Sequence, residues 1–372
     1  MNTVDFEKKP VEVMAVVTSK LSISRGTPMR ILKLLKGLAD RPDIRLRVVS
    51  PDDENPVPGA EHVQVQDGFF KMLPVIRKSL RGKDCDVVIG HTLGSIRQLF
   101  VLRFISKGKL LLEMHGFIAE EGLLAGTIGY VRYRVNTMIH KFFFWWCDMV
   151  TTCGPTATDI IAQYNANTHT VYNGADVALF SPDADAAYDF KSAPDDIVIG
   201  YAGNSSSYQG LDFLFDAFDK LSKNDPRYHL ALLISGNYDE SKANTKIHIV
   251  KGVPHQQVPS FLKSCDLLVV PRPANEVTRI SFASKLLEYI SMGIPVISSS
   301  TSDADKVITS GVDGVLYPPG DEASFIAALK HLSDPSVRAN MGSKGRNLVC
   351  STYKNSDTHH DFYTLIKQLS KK

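Results

Sequence analysis

Short runs of β-branched and leucine-rich positions alternate with longer amphipathic stretches along the whole chain. In the first half the runs are Glu12–Thr18, Leu46–Ser50, Asp86–His91, Lys109–Gly116, Asp148–Gly154 and His169–Gly174. Between the first two, Ile31, Leu32, Leu34, Leu35 and Leu38 recur at helical spacing and predict a helix over Met29–Ala39. The second half repeats the alternation, with Asp196–Gly203, a helix over Leu211–Leu221, then His229–Gly236, Lys246–Gly252, Asp266–Pro271 and Ile294–Ser300. Strands that are apolar almost throughout need cover on both faces, and helices placed between them supply it. The pattern is that of parallel sheets in an α/β protein.

Residues 183–196, DADAAYDFKSAPDD, are acidic and poor in branched apolar side chains, so they read as a connection between domains. The expected organisation is a Rossmann-like domain over 1–182, a linker over 183–196, a second Rossmann-like domain over 197–350 and a helical tail over 351–372. From Glu322 onward Phe325, Ile326 and Leu329, then Phe362, Leu365, Ile366 and Leu369, keep helical spacing, and the last helix is expected to return to the first domain. Doubly wound sheets place ligands at the carboxyl ends of their strands.

Composition narrows the class. The 372 residues are 44% hydrophobic and 22% charged with a net charge of +2, which argues against wholesale coating of nucleic acid. The first half is mildly basic and the second mildly acidic; this suits an anionic acceptor or a membrane face, and equally suits scattered solvated charge. Five cysteines without a CxxC pair fit a reduced compartment rather than a disulfide or zinc scaffold. The opening MNTVDFEKKP lacks the apolar core of a signal peptide, and no apolar run approaches the roughly 18 residues that span a bilayer. A cytoplasmic protein is expected, at most peripheral at the inner membrane face. The aromatic run Phe142–Trp146 reads as a helix end packed inside its domain.

The stretch richest in chemistry is Ser281–Ser300, SFASKLLEYISMGIPVISSS. Ser281 and Ser284 suit a helix start, and Gly293 with Pro295 a helix stop. A helix N-terminus favours a phosphate, yet Lys285 stands in its first turn, where a cation opposes the dipole unless an anion lies near. Glu288 follows one turn later on the face of Ser284, placed to accept ribose hydroxyls.

Here the chain resembles glycosyltransferase family 4, the retaining enzymes of the GT-B fold. SKLLEYISMGIPVI is similar to the family's signature helix; VYNGADVALFSP (171–182), IGYAGNSSSYQGLDFLFDAF (199–218) and VITSGVDGVLYPPGD (307–321) resemble three further segments in order and spacing. The resemblance implies two Rossmann-like doubly wound domains facing a cleft, with a nucleoside diphosphate sugar as donor and a carbohydrate or lipid-linked acceptor. It implies no resident cofactor or metal. Position by position it assigns the donor ribose to Glu288, the distal phosphate to the helix start around Ser284 and Lys285, and the transferred sugar to His115. The glycine-bearing loop Ser24–Thr27, with Gly26, is assigned to the acceptor and phosphates. The base is expected near Asn237 and the loop Gly252–His255.

The chain also departs from the family. Asn204 and Gln209, following Gly203, replace the usual arginine and lysine directed at the diphosphate; Ile280 replaces a glutamate at the signature helix, and Lys306 another glutamate. A leaving diphosphate gains charge that cations must meet. Lys285, Arg272 and Arg279 lie in the adjoining stretch and are expected to supply it. The competing reading is a catalytically silent GT-B subunit. The D-x-D pairs Asp84/Asp86, Asp183/Asp185 and Asp303/Asp305 read as solvated acids, and His359-His360 as exposed tail. No G-x-S-x-G, Walker A, H-E-x-x-H or first-strand G-x-G-x-x-G motif is present.

Overall fold

The computed structural model of the chain describes residues 9–22, 26–80, 85–235, 241 and 243–371. It divides into two compact units, Met1–Tyr172 with Ser356–Lys372, and Asn173–Asn355.

In the first unit the strands are β1 (Val11–Val16), β2 (Ile44–Ser50), β3 (Glu61–Gln64), β4 (Val87–His91), β5 (Lys109–Glu113), β6 (Met149–Thr152) and β7 (Thr168–Thr170). They pair in parallel in the order β3-β2-β1-β4-β5-β6-β7. Met14, Ala15 and Val16 are fully buried in succession, so β1 is covered on both faces beyond the partly exposed Glu12, as its apolar run requires. The helices are α1 (Gly26–Ala39), α2 (Phe69–Leu80), α3 (Ile96–Ile105), α4 (Ile118–Leu124), α5 (Tyr130–Trp146) and α6 (Pro155–Ala162). β3 had no sequence signal. It is an edge strand whose residues Glu-His-Val-Gln are all at least partly exposed, so nothing forces apolar alternation on it.

In the second unit β8 (Ile197–Asn204), β9 (Tyr228–Ser235), β10 (Ile247–Lys251), β11 (Leu267–Val270), β12 (Val296–Ser299) and β13 (Val315–Tyr317) form a parallel sheet ordered β10-β9-β8-β11-β12-β13. The helices are α7 (Leu211–Asn224), α8 (Val258–Lys263), α9 (Glu276–Ile280), α10 (Lys285–Ser291), α11 (Ala304–Val307), α12 (Glu322–His331) and α13 (Pro335–Thr352). Leu211, Leu214, Phe218 and Leu221 bury one side of α7 in this core. Residues 183–196 lie on this unit: Phe190 stacks on Tyr188 and meets Phe261 edge-on, and the Asp196 carboxylate accepts from the amides of Ser192 and Ala193.

The last helix, α14 (Asn355–Leu369), inserts Phe362, Leu365, Ile366 and Leu369 into the first unit's core beside Ile31, Leu34, Leu35 and Leu38 of α1. Full burial of each such side chain stabilises by about 1.5–3 kcal/mol. Asp43 accepts from Tyr363 Oη and Lys367 Nζ at the far end. Against the expectation of an exposed pair, His359 packs over Gly37, where any Cβ would collide with the imidazole; His360 alone is exposed. Asp303 is likewise buried rather than solvated.

Candidate functional site

Each sheet reverses its strand order at one point, β1/β4 in the first unit and β8/β11 in the second. A crevice opens there because the loops after the two strands leave in opposite directions. In the second unit these loops carry most of the expected donor-binding residues. Gly203 and Asn204 end β8 and Gln209 follows, while Arg272 lies just beyond β11. Gly210 draws the two loops together. Its φ is +78°, and a Cβ there would strike the carbonyl of Pro271.

Lys285 reaches this crevice from α10, which Tyr289 fixes to β8 by donating to Ala202 O at 2.7 Å and accepting from Ala202 N at 2.5 Å. The Lys285 ammonium lies 4.1 Å above the Tyr201 ring and donates to Gln209 Oε1 at 3.0 Å. It occupies the space a side chain at Gly203 would need. Arg272, 7% exposed, donates from Nη1 to Ser281 Oγ at 3.2 Å and Ser302 Oγ at 3.0 Å. Burial, with the charge of Arg272 added, pushes the Lys285 pKa well below the usual lysine value; Glu288 opposes the shift but is outweighed. The crevice thus brings two cationic side chains together.

Ser302 and Asp303 both have φ of +58°, which costs a non-glycine residue about 1–2 kcal/mol each. Ser302 recovers part of this by donating to Thr278 O at 2.8 Å while receiving Arg272. Ser302 carried no sequence signal, since no backbone angle can be read from a serine, and Asp303 read only as a solvated acid.

The other expected residues are placed differently. Ser284 stands at the N-cap of α10 with helical angles and makes no side-chain cap; it is exposed. Glu288 is half-buried one turn on. Asn204 is exposed and accepts from Ser206 N at 3.1 Å. Arg279 points to its own helix, in a two-pronged pair with Glu276 at 2.6 and 2.9 Å. Gly26 opens α1 with nothing within 4 Å of its missing Cβ. Ser24, Asn237 and Asp84 lie outside the described residues.

In the first unit the expected histidine belongs to a buried ionic cluster. His115 Nε2 lies 2.5 Å from Glu113 Oε2, His91 Nδ1 lies 3.2 Å from the same oxygen, and Arg30 Nε donates to Glu113 Oε1 at 2.8 Å. Arg30 also donates to Val171 O at 2.8 Å. Burial would raise the Glu113 pKa, but His115 and Arg30 outweigh it and hold the carboxyl well below its usual range. Burial lowers the His115 pKa against the pull of Glu113. The ring therefore sits neutral beside a carboxylate, and its Nδ1 has no hydrogen-bond partner among the described residues. The nitrogens and the carboxylate come within 4.8 Å of one another, close enough to share a metal ion. Arg30 already supplies a fixed positive charge there, so a dication would be repelled. Arg30, His91 and Glu113 escaped the sequence reading. The signal was available: Glu113 and His115, two apart on an otherwise apolar strand, share a face, and Arg30 falls on the apolar side of α1.

Residues 196–334 match the family described as glycosyl transferases group 1. The D-inositol 3-phosphate glycosyltransferase of Corynebacterium jeikeium is 26% identical over 208 residues, 50% of this chain and 48% of that protein. The chain spans about half the length of the curated relatives it matches. Among solved structures, sucrose-phosphate synthase from Thermosynechococcus elongatus superposes with a TM-score of 0.74 at 16% identity, covering 96% of this chain and 99% of that one. Anabaena HepE, solved with UDP-glucose, superposes with a TM-score of 0.72 at 14% identity, over 96% of this chain and 99% of its own. The chain has the GT-B fold, two doubly wound units built on parallel sheets of seven and six strands.

Proposed function

We propose that the protein transfers a sugar from a nucleoside diphosphate sugar to an acceptor hydroxyl with retention of configuration, as a glycosyltransferase of family 4. The observation that carries this reading is the Lys285–Arg272 crevice, which lies at the strand-order reversal inside the stretch matching group 1 glycosyl transferases. A diphosphate is the anion that two adjacent cations would hold. Glu288 accepts the ribose hydroxyls, Lys285 and Arg272 meet the departing diphosphate, and Arg279 is a reserve cation behind them. Gly203 keeps the backbone small beside the ammonium, and Gln209 orients it. Asn204 and the amides beside Ser284 offer neutral donors. Gly26 leaves its loop open, and His115 keeps the role toward the sugar that the resemblance gives it.

In the reaction the acceptor oxygen forms a bond to the anomeric carbon as the bond to the diphosphate oxygen breaks on the same side. The acceptor proton passes to the leaving phosphate, so no strong base is required. The protein needs no resident cofactor or metal for this, since its cations are side chains. A carbohydrate or lipid-linked acceptor in polysaccharide or glycolipid synthesis, at a cytoplasmic site, completes the proposal.

Thermal unfolding with a panel of nucleoside diphosphates, uridine first, tests it. A ligand at about 100 times its dissociation constant stabilises by roughly 2.7 kcal/mol, which raises Tm by about 2–4 °C. The rise is expected for one base and should vanish in Glu288→Ala. The neutral Asn204, where the family carries a cation, supports a second reading as a silent subunit. A protein that binds no nucleotide, or binds one but releases no nucleoside diphosphate with any acceptor, would favour that reading.

A further inference from the structure

Among the described residues, the first unit leaves an apolar face exposed. On α5, Val131, Val135, Met138, Phe142 and Trp145 recur at spacings of three and four and are 42–77% exposed. They form one stripe on the side opposite His140, Phe143 and Phe144, which are buried. A surface helix ordinarily turns a single apolar stripe toward its core; α5 carries two, and the second faces solvent. The run Phe142–Trp146, expected to pack inside the domain, is thus split between the two faces.

α3 widens the patch. Phe100 and the 68% exposed Phe104 bring their rings 5.6 and 6.1 Å from that of Trp146. Phe70 of α2 is 86% exposed beyond them. Between the three helices lies a pocket of about 550 Å³ whose walls include Phe69, Phe100, Met138 and Phe142. Contiguous apolar surface of this kind marks a binding face rather than ordinary scatter.

The charge on these helices is one-sided. They carry Lys71, Arg77 and Lys78, Arg97 and Arg103, and Arg132, Arg134 and Lys141, with no aspartate or glutamate, in a chain whose net charge is only +2. On α5, helical geometry puts Arg132 to one side of the stripe and Arg134 and Lys141 to the other. No helix of the described residues is long and apolar enough to cross a membrane.

We propose that this face docks the protein on an anionic lipid bilayer. Val131, Val135, Met138 and Phe142 of the stripe enter the acyl boundary with Phe104, the flanking cations lie at the phosphates, and Tyr130 and the tryptophans sit at the headgroup level that suits amphipathic rings. A second copy of the chain fits worse. Two-fold pairing of α5 would set one row of cations against another with no carboxylate on these helices between them. The proposal does not rest on the transfer reaction, since docking needs no nucleotide.

Both tryptophans of the chain, Trp145 and Trp146, belong to the patch. Their emission, with vesicle flotation, therefore reports docking directly. Vesicles of phosphatidylcholine with phosphatidylglycerol should float the protein and shift its emission to the blue, phosphatidylcholine alone far less, and salt should reverse the effect. Each cation near the surface contributes about fivefold, so Arg132→Glu/Arg134→Glu/Lys141→Glu should weaken partition by roughly a hundredfold or more. Phe104→Ser/Met138→Ser should abolish the emission shift at any salt. These side chains are exposed, so Tm should hold in both variants. Absence of flotation with the anionic vesicles, partition unchanged in the charge-reversed protein, or a salt-resistant dimer that shields the tryptophans would each overturn the proposal.

Discussion

The two units bury charge in opposite ways. In the first, Glu113 stands between Arg30 and two histidines, so cation and anion meet inside the protein. In the second, two cations, Lys285 and Arg272, lie close enough to repel each other, and neutral oxygens of Gln209, Ser281 and Ser302 accept hydrogen bonds from them. The first arrangement matches cation with anion as it folds. The second sets two cations side by side, which is what a site for a departing anion requires. Both lie near the strand-order reversal of their sheet, so topology offers the place and the sign of the charge assigns the use.

Breaking the first arrangement should cost the most. Arg30→Met leaves the Glu113 carboxylate buried without its strongest permanent cation, and removal of one partner from a buried pair costs about 3–5 kcal/mol. Chemical denaturation should show that loss, and Glu113→Gln combined with Arg30→Met should recover part of it. Equal stability for Arg30→Met and wild type would mean that the cluster is open to water.

Lys285→Met should behave in the reverse sense. It removes a cation held against its preference, so the free protein should stay within about 1 kcal/mol of wild type. Its loss should appear only with ligand. A charge-assisted hydrogen bond contributes roughly 1.5–3 kcal/mol, so nucleoside diphosphate should bind about ten- to a hundredfold more weakly by calorimetry. The pH dependence follows from the same shift. Because the free-state pKa of Lys285 is depressed, affinity should fall as pH rises through it, and binding below alkaline pH should take up protons. Lys285→Arg, charged throughout, should bind without that dependence.

Acid should act on the first unit. Glu113 has its folded pKa depressed, so its contribution is present above the unfolded carboxylate value near 4.3 and is lost as pH falls through the folded value. His115 is also depressed and prefers to stay neutral, so the unfolded chain takes up its proton first, below about pH 6.5. Both effects have one sign. Stability should begin to decline below about pH 6.5 and fall faster below about 4.3, and Glu113→Gln should flatten the lower part of the curve. A profile unchanged in that variant would remove Glu113 from the account.

What the sequence disclosed of these two regions follows from what each depends on. The strands with continuous apolar runs, β1, β4, β8 and β9, were legible because burial on both faces leaves no choice of residue. β3 and β13, at sheet edges, were not, since half-exposed positions tolerate any polarity. Lys285 and Arg272 stood out as cations in a patterned segment. Arg30 did not, because a lone arginine on an apolar helix face becomes informative only once Glu113 is known to lie opposite. Ser302 depends on a backbone angle, and the outward stripe of α5 on which of two apolar faces the fold covers. Neither can be read from composition.

The smallest effect sharpens the comparison at its edge. Arg279 was expected among the cations of the diphosphate site, yet it is half-exposed and clasped by Glu276 on its own helix. Such a pair contributes about 0–1 kcal/mol to stability, so Arg279→Ala should leave Tm nearly unchanged. If Lys285 and Arg272 carry the leaving charge, the variant should also keep its nucleotide affinity, and any loss of turnover should stay within a fewfold. A drop as large as that of Lys285→Met would mean that the guanidinium abandons Glu276 when donor binds. Glu276→Gln separates the two cases: freeing the arginine should then strengthen binding, whereas a guanidinium that plays no part would leave it unchanged.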